Sequence, residues 1–268
     1  MKKIAVSILI AIFLIIIALV LYINLKERKI IVFAYHKIVP NEIKEKYYSD
    51  NIWVDTTENF ERQMKFLYDN NYKTLSMKEY KEWRDTDKKY PIKTVMITID
   101  DGDIETYYEI KPILEKYNLK ATAFIIGEKV EETSEEYNPK KQQFLGRDLI
   151  EKSKQEYPDL EFHSHSYGLH QNDEMGSPIG FKMTKNEISE DFNKMKAYNT
   201  NIYCYPYGKG NEIVHEVLEE QQYEMAFMLD KSKISRKSDQ KYLISRVGIN
   251  SETSFTMFKK WLLKQYIM

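Results

Sequence analysis

Seven short runs rich in β-branched and aromatic residues recur along this 268-residue chain, and segments with helical periodicity separate them. The runs are Ile30–Tyr35, Thr94–Ile99, Ala121–Ile126, Leu160–Ser164, Ile202–Tyr205, Tyr223–Leu229 and Tyr242–Ile249. Strands that alternate with helices are joined by crossovers, and crossovers build a mostly parallel sheet with helices outside it. About seven such units suit a closed or nearly closed β/α barrel. An open doubly wound sheet is the alternative, but no glycine-rich phosphate loop follows any of the runs.

Apolar spacing places the helices. Phe60, Met64, Leu67 and Tyr68 fit one face, as do Ile110, Ile113, Leu114 and Tyr117. Thr184 and Glu187 form a capping-box pattern ahead of the stripe Ile188, Phe192 and Met195. Pro112 either kinks its helix or occupies the first turn. The polar stretches Asn41–Asn51, Glu131–Gln143 and Gln171–Lys185 read as rim loops.

The amino terminus carries a different signal. After Met1-Lys2-Lys3, residues 4–23 are apolar except for Ser7. At 1.5 Å per residue a helix of this length spans ~30 Å, one hydrocarbon core. The run ends without a small-x-small cleavage site, which predicts an uncleaved single transmembrane helix. Residues 1–28 are therefore read as a membrane anchor and residues 29–268 as the functional domain. Charge leaves the orientation open, because Lys2 and Lys3 compete with Lys26, Arg28 and Lys29. A formal net charge of −1 argues against a nucleic-acid partner. Cys204 is the only cysteine, so no intramolecular disulfide forms.

In β/α barrels the chemistry sits at the carboxyl ends of the strands. Those positions hold His36 after the first run, Asp100 and Asp101 after the second, and His163, His165 and His170 in and after the fourth. The fifth run leads into Tyr205-Pro206-Tyr207-Gly208. His215 falls in a helical pattern and reads as a plain helix residue. A carboxylate with two histidines and an open position is a metal-hydrolase arrangement. It also accounts for two adjacent aspartates, since a cation on one lets its neighbour stay ionised as a base.

These residues resemble the motifs of the polysaccharide deacetylases, carbohydrate esterase family four, which share the nodulation-factor deacetylase domain. "TIDDG", Thr98 to Gly102, is similar to the family's T-F-D-D-G. "HSYGLH", His165 to His170, has one residue more than the common H-[ST]-x-x-H, a spacing similar to the subgroup that deacetylates poly-β-1,6-N-acetylglucosamine. "CYPYG" keeps Pro206, Tyr207 and Gly208 of the third motif, with Cys204 where the family has arginine. No histidine follows His215, so the late L-x-x-H motif has no counterpart. Both departures again resemble the intercellular adhesin deacetylases of that subgroup.

The resemblance implies a distorted (β/α)7-type barrel behind the transmembrane helix. It implies Asp100 as the general base, and Asp101, His165 and His170 as ligands of one divalent metal ion, zinc. The backbone N–H of Tyr207 would stabilise the oxyanion, and Pro206 is placed among the residues that bind substrate or support the site. His36 is the candidate acid for the leaving amine, or else a substrate-positioning group. Arg246, in "SRVG", is the candidate to replace the missing arginine beside Asp100. Beside the resemblance, strand alternation is taken to point His163 away from the metal face of His165, which leaves it to support the site from behind or to serve packing. The substrate implied is an extracellular N-acetylglucosamine polymer of biofilm matrix, met by a domain anchored at the cell membrane in association with the polymer's synthase. The competing readings are a peptidoglycan or chitin-type deacetylase, and a tethered polysaccharide-binding module without activity.

Overall fold

The computed structural model describes residues 10, 12–17, 29–230 and 234–267. Seven parallel strands close into a barrel: β1 (Lys29–Tyr35), β2 (Thr94–Ile99), β3 (Ala121–Ile125), β4 (Leu160–Ser164), β5 (Ile202–Cys204), β6 (Met225–Leu229) and β7 (Ile244–Gly248). Each pairs with its successor, and β1 closes the ring by pairing with both β2 and β7. Closure removes the open-sheet alternative. The pairing is uneven. β1 and β2 share five paired positions, from Ile31↔Val95 to Tyr35↔Ile99, whereas β4 and β5 meet at one, Ser164↔Tyr203. This unevenness is the distortion of the barrel.

Strand alternation sorts the side chains into two cores. Val32, Met96, Phe124, Cys204, Phe227 and Ile244 face inward and fill the barrel. Ile31, Phe33, Val95, Ile97 and Ala123 face outward under the helices. Both faces are buried, so the strands read as continuous apolar runs instead of alternating ones.

The helices are α1 (Asn41–Tyr47), α2 (Thr57–Asp69), α3 (Met77–Asp85), α4 (Lys111–Tyr117), α5 (Arg147–Glu156), α6 (Lys185–Met195), α7 (Glu212–Glu220) and α8 (Phe255–Ile267). Tyr80 and Trp83 of α3 pack into the inner core and close the amino-terminal mouth of the barrel. Glu161, near the start of β4, accepts the Met77 N–H at 2.6 Å and fastens that plug. The capping box of Thr184 and Glu187 is present, and Ile188, Phe192 and Met195 are fully buried. Pro112 sits in the first turn of α4, directly after a π-helical turn at Thr106–Ile110.

Two expectations need correction. The stretch Asn41–Asn51 is not only loop, because Asn41–Tyr47 forms α1. The Lys44 ammonium donates to the carbonyls of Tyr48, Ser49 and Asn51 just past the end of α1, and Ile43 packs on Val39 and Val54. Tyr68 lies beyond the edge of the α2 stripe and is 56% exposed, while Phe60, Met64 and Leu67 are buried. Apart from residues 10 and 12–17, which are helical and exposed, the apolar run 4–23 lies outside the described residues. Among the described residues no helix is long and apolar enough to cross a membrane.

Candidate active site and metal centre

The site is built on the carboxyl ends of β1, β2, β4, β5 and β7. Tyr35 pairs with Ile99, so the next residues along, His36 and Asp100, are cross-strand neighbours. The Asp100 N–H donates to the Tyr35 carbonyl at 2.9 Å. His36 Nε2 lies 3.8 Å from Asp100 Oδ2.

Arg246 reaches from β7 through the barrel interior to the same carboxylate. Its Nη1 donates to Oδ1 of Asp100 at 2.6 Å and its Nη2 to Oδ2 at 2.8 Å. Nη1 also donates to Thr98 Oγ1, and Nη2 to Cys204 Sγ at 2.9 Å. Burial works against the Asp100 anion, but the Arg246 guanidinium outweighs it and holds the carboxyl below its usual range. An arginine thus reaches Asp100 from the last strand, while the third-motif position holds Cys204. The small Cys204 leaves room for it. Burial pushes the Cys204 thiol well up, so it stays protonated.

After Asp100 the chain turns sharply. Asp101 and Gly102 both take left-handed backbone, with φ of 72° and 74°. A Cβ at Gly102 would meet Ile125 at 3.0–3.3 Å, so the turn demands glycine there. The turn brings Asp101 Oδ1 to 3.4 Å from His165 Nε2 and 3.2 Å from His170 Nε2. All three ligand atoms lie within 4.8 Å of one another. Asp101 Oδ1 is buried and lacks a well-formed hydrogen bond. His165 Nδ1 donates to the Cys204 carbonyl at 2.9 Å, which leaves the Nε2 lone pair facing Asp101. A carboxylate oxygen without a partner and two convergent imidazoles fit a divalent metal ion. Asp100, His165 and Cys204 form a second convergent set. That set fits less well, because Asp100 already carries a guanidinium and the thiol is protonated.

The loop from His165 to His170 is held by a residue that the sequence analysis missed. Asp191, buried on α6, accepts the N–H of Tyr167 at 2.9 Å and of Gly168 at 2.6 Å. Ser166 takes φ 69° and its Oγ accepts the Leu169 N–H. The available signal was an aspartate among Ile188, Phe192 and Met195 on an apolar helix face. Trp53 was also missed; its ring lies 4.6 Å from that of His36 and packs against Gly248. A lone tryptophan in a polar stretch carries no periodicity to betray it. A third omission is the buried pair Lys37 and Glu105, whose Nζ and Oε1 are 2.6 Å apart and tie the end of β1 to the turn after Asp101.

Pro206 opens a tight turn at Pro206–Gly208 in which Tyr207 has φ 56°. The Tyr207 ring lies 4.5 Å from that of His170, tilted by 32°, so the turn borders the cluster of Asp101, His165 and His170. His163 needs a correction of reason. It is two residues before His165, so strand alternation gives both side chains the same face. What separates them is height: His163 lies nearer the amino-terminal mouth, where its Nδ1 is 3.0 Å from Thr200 Oγ1. There it lines a cavity of about 340 Å³ with Lys78, Glu161 and Glu224. His215 lies on α7 against the Tyr205 ring and is not part of the cluster of Asp101, His165 and His170.

Residues 87–226 match the polysaccharide deacetylase family, a segment that holds the aspartate pair, both histidines and the tyrosine turn. The chain belongs to that family. This deacetylase is 29% identical over 209 residues to the poly-beta-1,6-N-acetyl-D-glucosamine N-deacetylase of Staphylococcus aureus, covering 75% of the chain and 70% of the relative. It is 28% identical over 207 residues to YxkH of Bacillus subtilis, which bears the polysaccharide deacetylase name, covering 76% and 68%. Among solved structures, IcaB from Ammonifex degensii superposes with a TM-score of 0.74 at 21% identity, over 88% of this chain and 98% of that one, which shows a shared fold. The chain is accordingly an enzyme, a hydrolytic polysaccharide deacetylase.

Proposed function

We propose that this deacetylase removes acetyl groups from poly-β-1,6-N-acetylglucosamine with the help of one divalent metal ion held by Asp101, His165 and His170. The observation that carries the reading is the convergence of those three ligand atoms beside an Asp100 carboxylate kept ionised by Arg246. The linkage is supported by the longer His165–His170 spacing and by the name of the Staphylococcus aureus relative.

When bound, the ion, zinc in our reading, supplies Lewis acidity to the amide carbonyl and lowers the pKa of water. The residues of the chain do the rest. Asp100, as a carboxylate, takes the proton of the attacking water. Burial lowers the His36 pKa despite the nearby Asp100 and Asp101, so its imidazole starts neutral. As the acid it would therefore take its proton from Asp100 and pass it to the leaving nitrogen. The Tyr207 N–H, in its strained turn, is the donor for the oxyanion; one such donor typically contributes ~3 kcal/mol. The products are acetate and a glucosamine unit, and the amine makes a neutral polymer cationic.

Residues 1–28 anchor the chain in the cell membrane in this reading, and residues 29–268 act outside the cell, where they meet the polymer as it leaves its synthase. The length of the apolar run 4–23 supports the anchor. The test is acetate release, with and without a chelator, from β-1,6- and β-1,4-linked N-acetylglucosamine oligomers. We expect chelator-sensitive release that favours the β-1,6 linkage. Preference for β-1,4 oligomers would replace the substrate by a peptidoglycan or chitin type, and release that resists chelation would remove the metal.

A further inference from the structure

We infer that the barrel stands on the membrane by its amino-terminal mouth, with the last two turns of α8 against anionic lipid headgroups and the catalytic mouth turned away. The inference rests on the reading of residues 4–23 as a membrane anchor. Chain length sets the first constraint. β1 starts at Lys29, so only residues 24–28 separate the apolar run from the barrel. Whatever path they take, these residues reach at most ~18 Å. Crossing the headgroup layer already uses roughly 5–8 Å of that reach. Lys29 opens the amino-terminal mouth, whereas His36, Asp100 and Asp101 follow the strands at the other mouth. β1 alone carries the chain ~20 Å between the two. Turning the catalytic mouth to the bilayer would lift Lys29 by about that length plus the depth of the rim loops, beyond the reach of the tether.

The end of α8 lies at the same mouth as the tether. Near the start of this helix the Phe258 ring lies 5.0 Å from that of Phe33, well along β1. Near its end Gln265 donates to the carbonyl of Thr94, the first residue of β2, at 2.6 Å. The helix therefore runs antiparallel to the strands, and Tyr266 comes level with the start of β1. The side chains there suit a bilayer surface. Leu263 is 55% exposed and Tyr266 43%, one helical turn apart. The Lys264 ammonium lies 3.5 Å from the centre of the Trp261 ring. From Lys259 to Tyr266 the helix holds three lysines and no acid. Tryptophan and tyrosine are the rings that settle at the membrane–water interface, and lysines beside them are drawn to anionic headgroups.

Tether and helix thus put the same end of the barrel on the lipid, for independent reasons. The tether limits height, and the exposed face of α8 supplies the contact. The catalytic centre then stands one barrel height above the headgroups, where it meets polymer that has already cleared them.

Cys204 is the only cysteine and is buried, so a cysteine introduced at an exposed position takes a fluorophore selectively. The experiment places the full-length protein in phosphatidylglycerol vesicles and labels either Leu263→Cys, at the end of α8, or Met175→Cys, in the loop after His170. Lipids with a nitroxide on the headgroup quench a fluorophore that lies among them. We expect the label at position 263 to lose most of its emission and the label at position 175 to keep its own. Lys260→Glu together with Lys264→Glu should weaken the quenching at position 263 severalfold, as should vesicles of neutral phosphatidylcholine. Equal quenching at both positions, or none at position 263, would overturn the orientation. If iodide in the water also fails to reach the label at position 263, a second copy of the chain covers that face instead. Unchanged quenching in the double-lysine variant would overturn the docking of α8. A protein that fails to float with the vesicles would overturn the anchor, and the inference with it, while acetate release in solution would leave the deacetylase reading standing.

Discussion

Arg246 grips both oxygens of Asp100, at 2.6 and 2.8 Å, across the interior of the barrel from the last strand to the second. The pair is fully buried, and its partners Thr98 and Cys204 are buried with it. A buried ion pair costs most when only one half remains. Arg246→Met should therefore destabilise the protein by about 3–5 kcal/mol in a denaturant titration and abolish acetate release. Arg246→Lys should fold better but stay impaired, because an ammonium cannot reproduce the two-pronged contact. Wild-type activity in Arg246→Met would end the claim that this guanidinium keeps Asp100 ionised.

Metal content separates the roles of the two aspartates. Asp101→Asn, His165→Ala and His170→Ala should each lose bound metal by elemental analysis, because two remaining ligands hold a catalytic metal poorly. Asp100→Asn should keep the metal and lose ~10²–10⁴-fold in rate, the usual share of proton transfer. His163→Ala should keep it as well. Metal loss in Asp100→Asn would exchange the roles of the pair.

His36 has two open roles that steady-state kinetics can divide. Removal of the leaving-group acid by His36→Ala should lower kcat sharply with metal content intact. A group that only positions the sugar should instead raise KM while kcat is largely kept. Wild-type kinetics would take His36 out of the site and leave its packing against Trp53 as its only role.

Asp191 acts at one remove, by shaping the loop that carries His170. Its two carboxylate oxygens accept two successive N–H groups, at 2.9 and 2.6 Å. An asparagine offers one acceptor and turns a second donor toward an N–H. Asp191→Asn should weaken metal affinity by roughly 10–100-fold, the usual effect of lost outer support. An unchanged metal affinity in a calorimetric titration would show that the loop holds its shape alone.

His163 predicts a pH dependence of stability that is separate from catalysis. Burial, and less strongly Lys154, lower its pKa from 6.5 to about 4 despite Glu224. The unfolded chain then binds the proton more readily than the folded one. This contribution is fully present above pH 6.5, declines as the pH falls, and is lost by about pH 4. It amounts to at most ~3 kcal/mol, less to the extent that the half-buried ring is reached by solvent. His163→Gln should flatten the stability profile in that window. An unaltered slope would assign the acid sensitivity to other groups.

Local patterns carried much of this protein. Strand and helix periods depend on neighbours within a few residues, so all seven barrel strands, the Thr184–Glu187 cap and the buried stripe of α6 were legible in the sequence. The aspartate pair and the histidine pair were legible too, because each is a short motif on a single loop. Contacts between distant segments were less legible. The placement of Arg246 beside Asp100 was expected only from a gap in a motif, and the bidentate grip depends on barrel closure, which brings residues 146 positions apart into contact. Trp53 and the Lys37–Glu105 pair left no mark that spacing could reveal, and Asp191 left only its place on the apolar face of α6, since their partners lie on other crossovers. His163 shows the limit most plainly. Strand parity fixes which face a side chain takes, but its height in the barrel follows from the stagger of seven strands, which only the closed fold decides.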